Sequence, residues 1–245
     1  MGSQPHPTVL VVGDSISNHW MEALPVALGS AASCSGGSDW SASDWSAGRG
    51  TGCDSTQALA YLSSTLHPDG TLPDVLLLNC GLHDIKCSVA DGRHQVEPEQ
   101  YQQNLEAILE LFQTLSTKLC WVSTTPVCTG PDGTTRTAPS TSYADADFDR
   151  SNEMIDEYNA IAAALMRRES VPIIDLHSFS SDAFSSVAQR GTYDSVHFTP
   201  TCRHQQAVFI ANWLGGNGVV PGLQQPVADP ADPEPSAAGE QQPRL

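Results

Sequence analysis

The stretch Thr8-Val-Leu-Val-Val-Gly-Asp-Ser15 decides the fold that we predict for this chain. Its first five residues form a continuous run of apolar and β-branched side chains, which is typical of a strand buried on both faces of a parallel sheet. Gly13 and Asp14 end the run and place Ser15 directly after the carboxyl end of the strand. Ligands bind at that end of the strands in a parallel sheet. The stretch therefore predicts a parallel α/β protein with a serine at its functional edge.

Outward from this stretch, strand-like apolar runs alternate with segments of helical periodicity. Further strands are predicted at 74–79, 118–123 and 171–175, and helices at 18–29, 55–66, 98–117 and 148–168. Pro25 should shorten or kink the first of these helices. A last helix begins with Thr199 as its N-cap and ends at Gly215-Gly216. This alternation predicts a three-layer α/β/α fold around a flavodoxin-like, doubly wound parallel sheet.

The chain length of 245 residues accommodates one domain with a substantial core. We predict a flexible N-terminus at residues 1–7, the domain itself at 8–219, and a disordered, proline-rich and acidic tail at 220–245. Within the domain, residues 33–52 are rich in Ser, Gly and Asp. Because this composition cannot build a core, it predicts a loop.

The charge of the chain limits its partners. The net charge is −17 and the isoelectric point is near 4.5, so nucleic acids and anionic membranes are not expected as partners. The acidity favours solubility. No apolar run approaches the ~20 residues that a membrane-spanning helix needs. The N-terminus has neither a basic start nor the apolar core of a signal peptide, which predicts a cytoplasmic or other intracellular location.

The cysteines give no sign of a metal site. Seven are present, none of them in the Cys/His spacing of a zinc site, and we predict no metal and no cofactor. Cys34 and Cys53 flank the Ser/Gly-rich loop and could form a disulfide. The absence of a visible secretion signal favours free thiols instead.

A second motif, Asp194-Ser-Val-His197, lies just ahead of the last predicted helix. A serine is a weak nucleophile until a neighbouring imidazole accepts its proton, and the imidazole needs a carboxylate that fixes its tautomer. Ser15 and this motif supply all three groups at the same predicted edge of the sheet. We therefore predict a serine hydrolase, with Ser15 as nucleophile, His197 as general base and then general acid, and Asp194 as the orienting carboxylate.

Together these residues resemble the SGNH (GDSL-type) hydrolase family over roughly residues 8–215. The first block of the resemblance is Gly13-Asp-Ser-Ile-Ser17, and the last is Asp194-Ser-Val-His197. The resemblance implies that Ser15 attacks an ester carbonyl and that its own backbone N–H, at the start of a helix, helps to bind the oxyanion.

Two middle blocks bear on the rest of the oxyanion hole. Gly52-Cys-Asp-Ser-Thr56 implies a donor in the Gly52 backbone N–H, with Gly50 as an alternative register. The third block departs from the usual Gly-x-Asn-Asp and reads Gly81-Leu-His83-Asp84, which is similar to a subgroup with Gly-Leu-His-Asp. This resemblance implies that His83 replaces the asparagine as a donor, either as a neutral imidazole or as an imidazolium. The alternative is that His83 braces its neighbouring aspartate or a turn.

A few other residues are candidates for lesser roles. Trp40 and Trp45 either stack on a sugar ring or an apolar acyl group, or pack their loop onto the domain. His177 follows the fourth predicted strand and either lines the pocket or bonds to nearby backbone. Asp14 is expected to shape the turn beside Ser15, and no role is predicted for His19.

The predicted function is hydrolysis of a carboxylic ester through an acyl-serine intermediate. The resemblance and the tryptophan-bearing loop favour short O-acyl groups, chiefly O-acetyl, on a small molecule or a glycan. Two alternatives remain open: an acyltransferase that uses the same serine, and a catalytically silent binding protein. The sequence does not determine the oligomeric state.

Overall fold

The fold is built on a five-stranded parallel sheet, seen here in a computed structural model that describes residues 6–36, 54–128, 148–184 and 196–223. In chain order the strands are β1 (Thr8–Val12), β2 (Ser33–Gly36), β3 (Val75–Leu78), β5 (Lys118–Val122) and β7 (Ile173–Ile174). Their order across the sheet is β2-β1-β3-β5-β7, and every neighbouring pair is parallel. This is the flavodoxin-like order, so the predicted doubly wound sheet is confirmed.

Helices cover both faces of the sheet and complete the three-layer α/β/α architecture. Seven helices are described: α1 (Ser15–Met21), α2 (Leu24–Leu28), α3 (Ser55–Thr65), α4 (Pro98–Phe112), α5 (Asn152–Arg168), α6 (Leu176–Ala183) and α7 (Pro200–Gly216). Helices α3, α4 and α5 pack side by side in one layer, and α1, α2, α6 and α7 pack together in the other. The central strand β3 is buried at all four residues because both layers cover it.

A small antiparallel ladder lies outside the main sheet. Strand β4 (Cys87–Ser88) pairs with β6 (Phe148–Asp149), which joins the segment after β3 to the residues that lead into α5. The sequence analysis does not predict this ladder, because strands of two residues carry no periodicity.

The prediction of a loop at residues 33–52 is wrong for its first four residues. Residues 33–36 form the edge strand β2, in register with β1 from Thr8↔Ser33 to Val11↔Gly36. A Cβ on Gly36, whose φ is +141°, would lie 2.4 Å from the Val11 carbonyl oxygen, so the close approach requires glycine. Three of the four residues are Ser or Gly, and Cys34 alone packs against the core, so this strand depends mainly on backbone pairing, which is why composition missed it. Residues 37–52 lie outside the described residues.

The single helix predicted at 18–29 is two helices. The first, α1, already begins at Ser15, because Asp14 caps it. Pro25 occupies the first turn of α2, where its missing N–H costs no hydrogen bond. The helical segment is therefore interrupted just before the proline. Gly29, with a φ of +56°, ends α2.

Other helix boundaries also shift. The helix predicted at 98–117 ends at Phe112, and the one predicted at 148–168 begins at Asn152, where Ser151 is the N-cap. Helix α6 is not predicted at all. It is a short helix whose N-cap, Asp175, accepts a hydrogen bond from the Ser178 backbone N–H.

The packed part of the chain extends slightly beyond the predicted boundary at residue 219. Val220 is fully buried, and Leu223 packs against the core beside Gly215. The predicted tail from 224 onward lies outside the described residues, as do residues 1–5. Among the helices that the structure describes, none is long and apolar enough to cross a membrane.

Candidate active site

Ser15 is presented by the turn between β1 and α1. Asp14 caps the helix: its Oδ1 accepts hydrogen bonds from the backbone N–H groups of Ile16 (2.9 Å) and Ser17 (3.4 Å). A Cβ on Gly13 would lie 2.3 Å from Ser17 Oγ, so the tight turn favours glycine. Ser15 is thus the first residue of α1, at the positive end of the helix dipole. Asp14 shapes the turn, as predicted.

His197 lies against Ser15. Its Nε2 is 2.8 Å from Ser15 Oγ, which joins two motifs that are 182 residues apart in the chain. The histidine precedes α7, where the Thr199 side chain accepts a hydrogen bond from the Cys202 backbone N–H at 3.4 Å. The structure therefore brings together the predicted nucleophile and general base at hydrogen-bonding distance. Asp194 lies outside the described residues, and its role stays a prediction.

A second imidazole, that of His19, lies against the His197 ring. The ring centroids of His19 and His197 are 4.8 Å apart, with an angle of 57° between the ring planes. His19 stands four residues after Ser15 on α1, so both side chains project from the same face of the helix. No role is predicted for His19 from the sequence, although the four-residue spacing from the serine was the signal that could have found it.

The turn after β3 carries His83 and is tied to distant elements. The carbonyl oxygen of Cys80 accepts hydrogen bonds from Tyr101 Oη of α4 (3.2 Å) and from Thr124 Oγ1 beyond β5 (3.1 Å). Gly81 has a φ of +139°, and a Cβ on it would lie 2.5 Å from Thr124 Oγ1. Only glycine suits this position.

His83 is buried, with 8% of its surface exposed. Burial, helped by the positive charges of Lys86, Arg150 and His197, lowers the pKa of His83 to about 3. The imidazole is therefore neutral near pH 7 and offers one ring N–H as a donor. Of the two protonation states left open by the sequence, the structure favours the neutral one.

Asp84, next to His83, is bound to the start of α3. Its Oδ1 accepts a hydrogen bond from the Ser55 backbone N–H at 2.9 Å, and Asn104 Nδ2 of α4 donates to Ser55 Oγ at 2.8 Å. Burial is the main cause that raises the pKa of Asp84 to about 7. The aspartate thus links the turn after β3 to the helix that follows Gly52. Gly52 and its alternative Gly50 both lie outside the described residues.

The segment Thr124-Thr-Pro126 follows β5 and is held by α5. The Thr124 backbone N–H donates to Asn159 Oδ1, and Asn159 Nδ2 donates to the Thr124 carbonyl oxygen, each at 2.9 Å. Asn152 makes the same pair of bonds with the backbone of Val127, at 3.0 and 3.1 Å. Two asparagine side chains therefore fix the backbone that supports Gly81.

His177 lies at the expected edge of the sheet, in the first turn of α6. Its backbone N–H donates to Ser123 Oγ at 2.9 Å, and its Nε2 lies 3.6 Å from an Asp156 carboxylate oxygen on α5. Its predicted role in substrate binding stays a prediction. Trp40 and Trp45 lie outside the described residues, and so does Cys53, so a disulfide to Cys34 also stays untested.

The chain matches a known protein family over most of its length. The model of the GDSL-like lipase/acylhydrolase family matches residues 11–202, which include both the Gly13–Ser17 motif and His197. No curated protein matches the chain.

Several solved structures share the fold at low sequence identity. An acetyl xylan esterase, AlAXEase, is 14% identical, with a TM-score of 0.59, over 85% of this chain and 100% of its own. A putative acylhydrolase from Bacteroides fragilis is 19% identical, with a TM-score of 0.56, over 89% of this chain and 93% of its own. LAE5, an alpha/beta hydrolase enzyme from the metagenome of Lake Arreo in Spain, is 14% identical, with a TM-score of 0.60, over 88% of this chain and 97% of its own. At these identities the likeness establishes the fold alone.

Proposed function

Because the chain belongs to the GDSL-like lipase/acylhydrolase family and is a hydrolase of ester bonds, we propose a catalytic mechanism and a substrate class for it. The proposed reaction is hydrolysis of a short-chain carboxylic ester through an acyl-serine intermediate on Ser15. The observation that carries the proposal is the 2.8 Å distance between Ser15 Oγ and His197 Nε2. A nucleophile needs its base within this reach.

In the first half of the reaction His197 acts as general base. We assign the ring proton to Nδ1, so that Nε2 accepts the Ser15 hydroxyl proton as Oγ attacks the ester carbonyl. The imidazolium then gives this proton to the leaving alcohol. In the second half a water molecule attacks the acyl carbonyl while His197 accepts its proton. The imidazolium then returns this proton to Ser15 Oγ as the acyl–Oγ bond breaks and the acid is released. Asp194 is the proposed partner of Nδ1, since it lies only three residues before His197 in the sequence.

We assign three hydrogen-bond donors to the attacked carbonyl oxygen, whose negative charge they would stabilise. The backbone N–H of Ser15 is the first, because it lies at the N-terminus of α1 and has no partner within the helix. The neutral ring N–H of His83 is the second, supported by the burial that lowers its pKa to about 3. The backbone N–H of Gly52 is the third, and this assignment rests on the sequence resemblance alone.

The proposed substrate is an O-acyl ester, chiefly an O-acetyl ester on a carbohydrate. Support comes from two sources: the fold likeness to an acetyl xylan esterase, and the two tryptophans of the Ser/Gly-rich loop, whose rings suit stacking on a sugar. Trp40 and Trp45 are the residues that we propose for this contact. His177, at the same edge of the sheet, is proposed to line the pocket.

The experiment that tests the mechanism compares the parent with Ser15→Ala on p-nitrophenyl esters from acetate to octanoate. We expect kcat to fall by at least about 10⁴-fold in the variant, because the covalent route is lost. In the parent, kcat/KM should fall as the acyl chain lengthens. Ser178→Ala is the matched control, since Ser178 is an exposed serine of α6, and it should keep the parental rate.

Three results would contradict parts of this proposal. Equal rates for the parent and Ser15→Ala would remove Ser15 as nucleophile. A folded parent with no activity on any of these esters, and with no labelling by a fluorophosphonate probe, would favour the silent binding protein. Rates that rise with chain length would leave the serine mechanism intact and refute the short acyl group.

A further inference from the structure

Arg150 is a buried arginine beside the turn that carries His83. Only 9% of its surface is exposed, and its Nε donates a hydrogen bond of 2.9 Å to the carbonyl oxygen of Leu82. A guanidinium is always charged, so its burial is costly unless its N–H groups are bonded. Leu82 directly precedes His83, and this bond therefore holds the backbone immediately before the imidazole.

The residues next to Arg150 hold the other side of the same turn. Strand β6 pairs with β4 through Cys87↔Asp149 and Ser88↔Phe148. Lys86 Nζ also lies 5.7 Å from the centre of the Phe148 ring, a distance at which a cation and an aromatic face attract each other. The segment 148–150 thus contacts the chain both before and after His83, through side-chain, backbone and ring contacts.

Arg150 also shares an electrostatic environment with the groups around Ser15. Its positive charge lowers the pKa of His83, in addition to the larger effect of burial. It likewise opposes the rise that burial causes in the pKa of Asp14. His197 interacts with both of these groups as well. The charge of Arg150 therefore acts on two groups that flank the proposed active site.

We propose that Arg150 is a positioning residue of the esterase: its bond to the Leu82 carbonyl fixes the turn on which His83 points its N–H at the oxyanion. The inference rests on the proposed role of His83 as an oxyanion donor. A donor stabilises the transition state only if it is directed at the oxygen before the reaction begins, and a shift of about 1 Å is enough to cost up to ~10²-fold in rate. Arg150 acts through His83 and is not assigned any contact with substrate.

The test uses two substitutions of Arg150 in the full chain. Arg150→Gln removes the charge, and Arg150→Lys keeps a charge but cannot reproduce the planar fork. We expect kcat on p-nitrophenyl acetate to fall about tenfold or more in Arg150→Gln, with KM little changed. Arg150→Lys should give an intermediate kcat. Active sites are titrated with a fluorophosphonate, so that a loss of folded protein does not count as a loss of rate.

Arg168→Gln is the matched control. Arg168 lies on the surface of α5, with 55% of its side chain exposed, and pairs with Glu106 and Glu169. It should keep the parental kcat, because exposed ion pairs of this kind contribute little.

The deciding measurement combines these changes with His83→Ala. If Arg150 acts through His83, Arg150→Gln lowers kcat in the parent but causes no further fall in the His83→Ala background. The same fall in both backgrounds, or no fall in the parent, overturns the inference. If Arg150→Gln does not fold, Arg150→Lys is judged by the same comparison. A parental kcat in His83→Ala alone would instead refute the proposed oxyanion role of His83, which is a separate failure.

Discussion

Two turns at the same edge of the sheet are built in different ways. The turn after β1, which presents Ser15, is held mainly by its own neighbours: Asp14 caps the helix that begins there, and one longer bond, of 3.4 Å, joins Ser17 Oγ to Asn79 Oδ1. The turn after β3, which presents His83, is held by groups from other parts of the chain. The side chains of Tyr101 and Thr124 donate to the Cys80 carbonyl oxygen, and the side chain of Arg150 donates to that of Leu82. The backbone N–H of Ser55 donates to the Asp84 carboxylate.

This difference indicates where the site is vulnerable. A turn that is stabilised by residues next to it in sequence depends mainly on local chemistry, and a substitution there has local effects. A turn that is stabilised from four directions depends on the packing of helices and strands far away. We therefore expect the geometry of the nucleophile to survive distant substitutions, while the geometry of the proposed oxyanion donor responds to them.

Apart from loss of the nucleophile itself, the largest effect is expected at the turn after β3, from loss of the proposed donor. His83→Ala should lower kcat by about 10²–10³-fold with KM little changed, because the lost N–H stabilises the transition state and not the bound substrate. His83→Asn should recover much of the rate, since an amide N–H can donate in its place. Steady-state kinetics on p-nitrophenyl acetate measure both, and equal kcat values for His83→Ala and the parent would refute the assignment.

The protonation state of His83 supplies a control for this experiment. Burial is the main cause that lowers the pKa of His83 to about 3. With this pKa the imidazole stays neutral between pH 5 and pH 8. The acidic limb of the kcat/KM profile should therefore lie at the same pH in His83→Asn as in the parent. A shift of that limb would mean that His83 is charged in the working enzyme.

A smaller effect, on stability, is expected from Gly81→Ala. The substitution requires a residue with a side chain at a φ of +139° and places its Cβ 2.5 Å from Thr124 Oγ1. We expect a loss of roughly 2–4 kcal/mol in the free energy of unfolding. Gly92→Ala is the control, because Gly92 has a φ of +70° but open space around it. It should cost only about 1–2 kcal/mol, and equal losses in urea unfolding would show that Thr124 yields easily.

The smallest effect is expected from the residue that caps the turn after β1. Asp14→Ala removes the N-cap of α1 and should cost about 1 kcal/mol. Asp14→Asn keeps a side-chain oxygen that can accept from the Ile16 N–H, and it should restore most of the loss. The midpoint of thermal unfolding reports both changes. A loss in Asp14→Ala as large as that in Gly81→Ala would contradict the local character of this turn.

Most of the fold was predictable because its strands follow simple rules. β1, β3 and β5 lie within the predicted segments, because strands buried on both faces are continuous apolar runs. The edge strand β2 escaped prediction since its Ser and Gly residues bring no apolar side chains and only their backbone pairs with β1. The short helix α6 was missed because its eight residues are too few to show a clear period.

The site divides in the same way. Ser15 and His197 were recognised from two short motifs, because each motif ends or begins an element whose place at the sheet edge follows from its order in the chain. His19 and Arg150 were not recognised, although one contacts the His197 ring and the other bonds to the residue before His83. Neither lies in a motif, and a single buried arginine looks in sequence like any surface charge.

The sequence alone therefore determined the family, the parallel α/β architecture and the pair Ser15 and His197, because these depend on local patterns and on the direction of the chain. Only the tertiary structure decided that His83 is buried and neutral and that Arg150 holds its turn. The physical reason is that protonation and orientation depend on burial and on neighbouring charges. Those are supplied by residues that are close in space and distant in the chain.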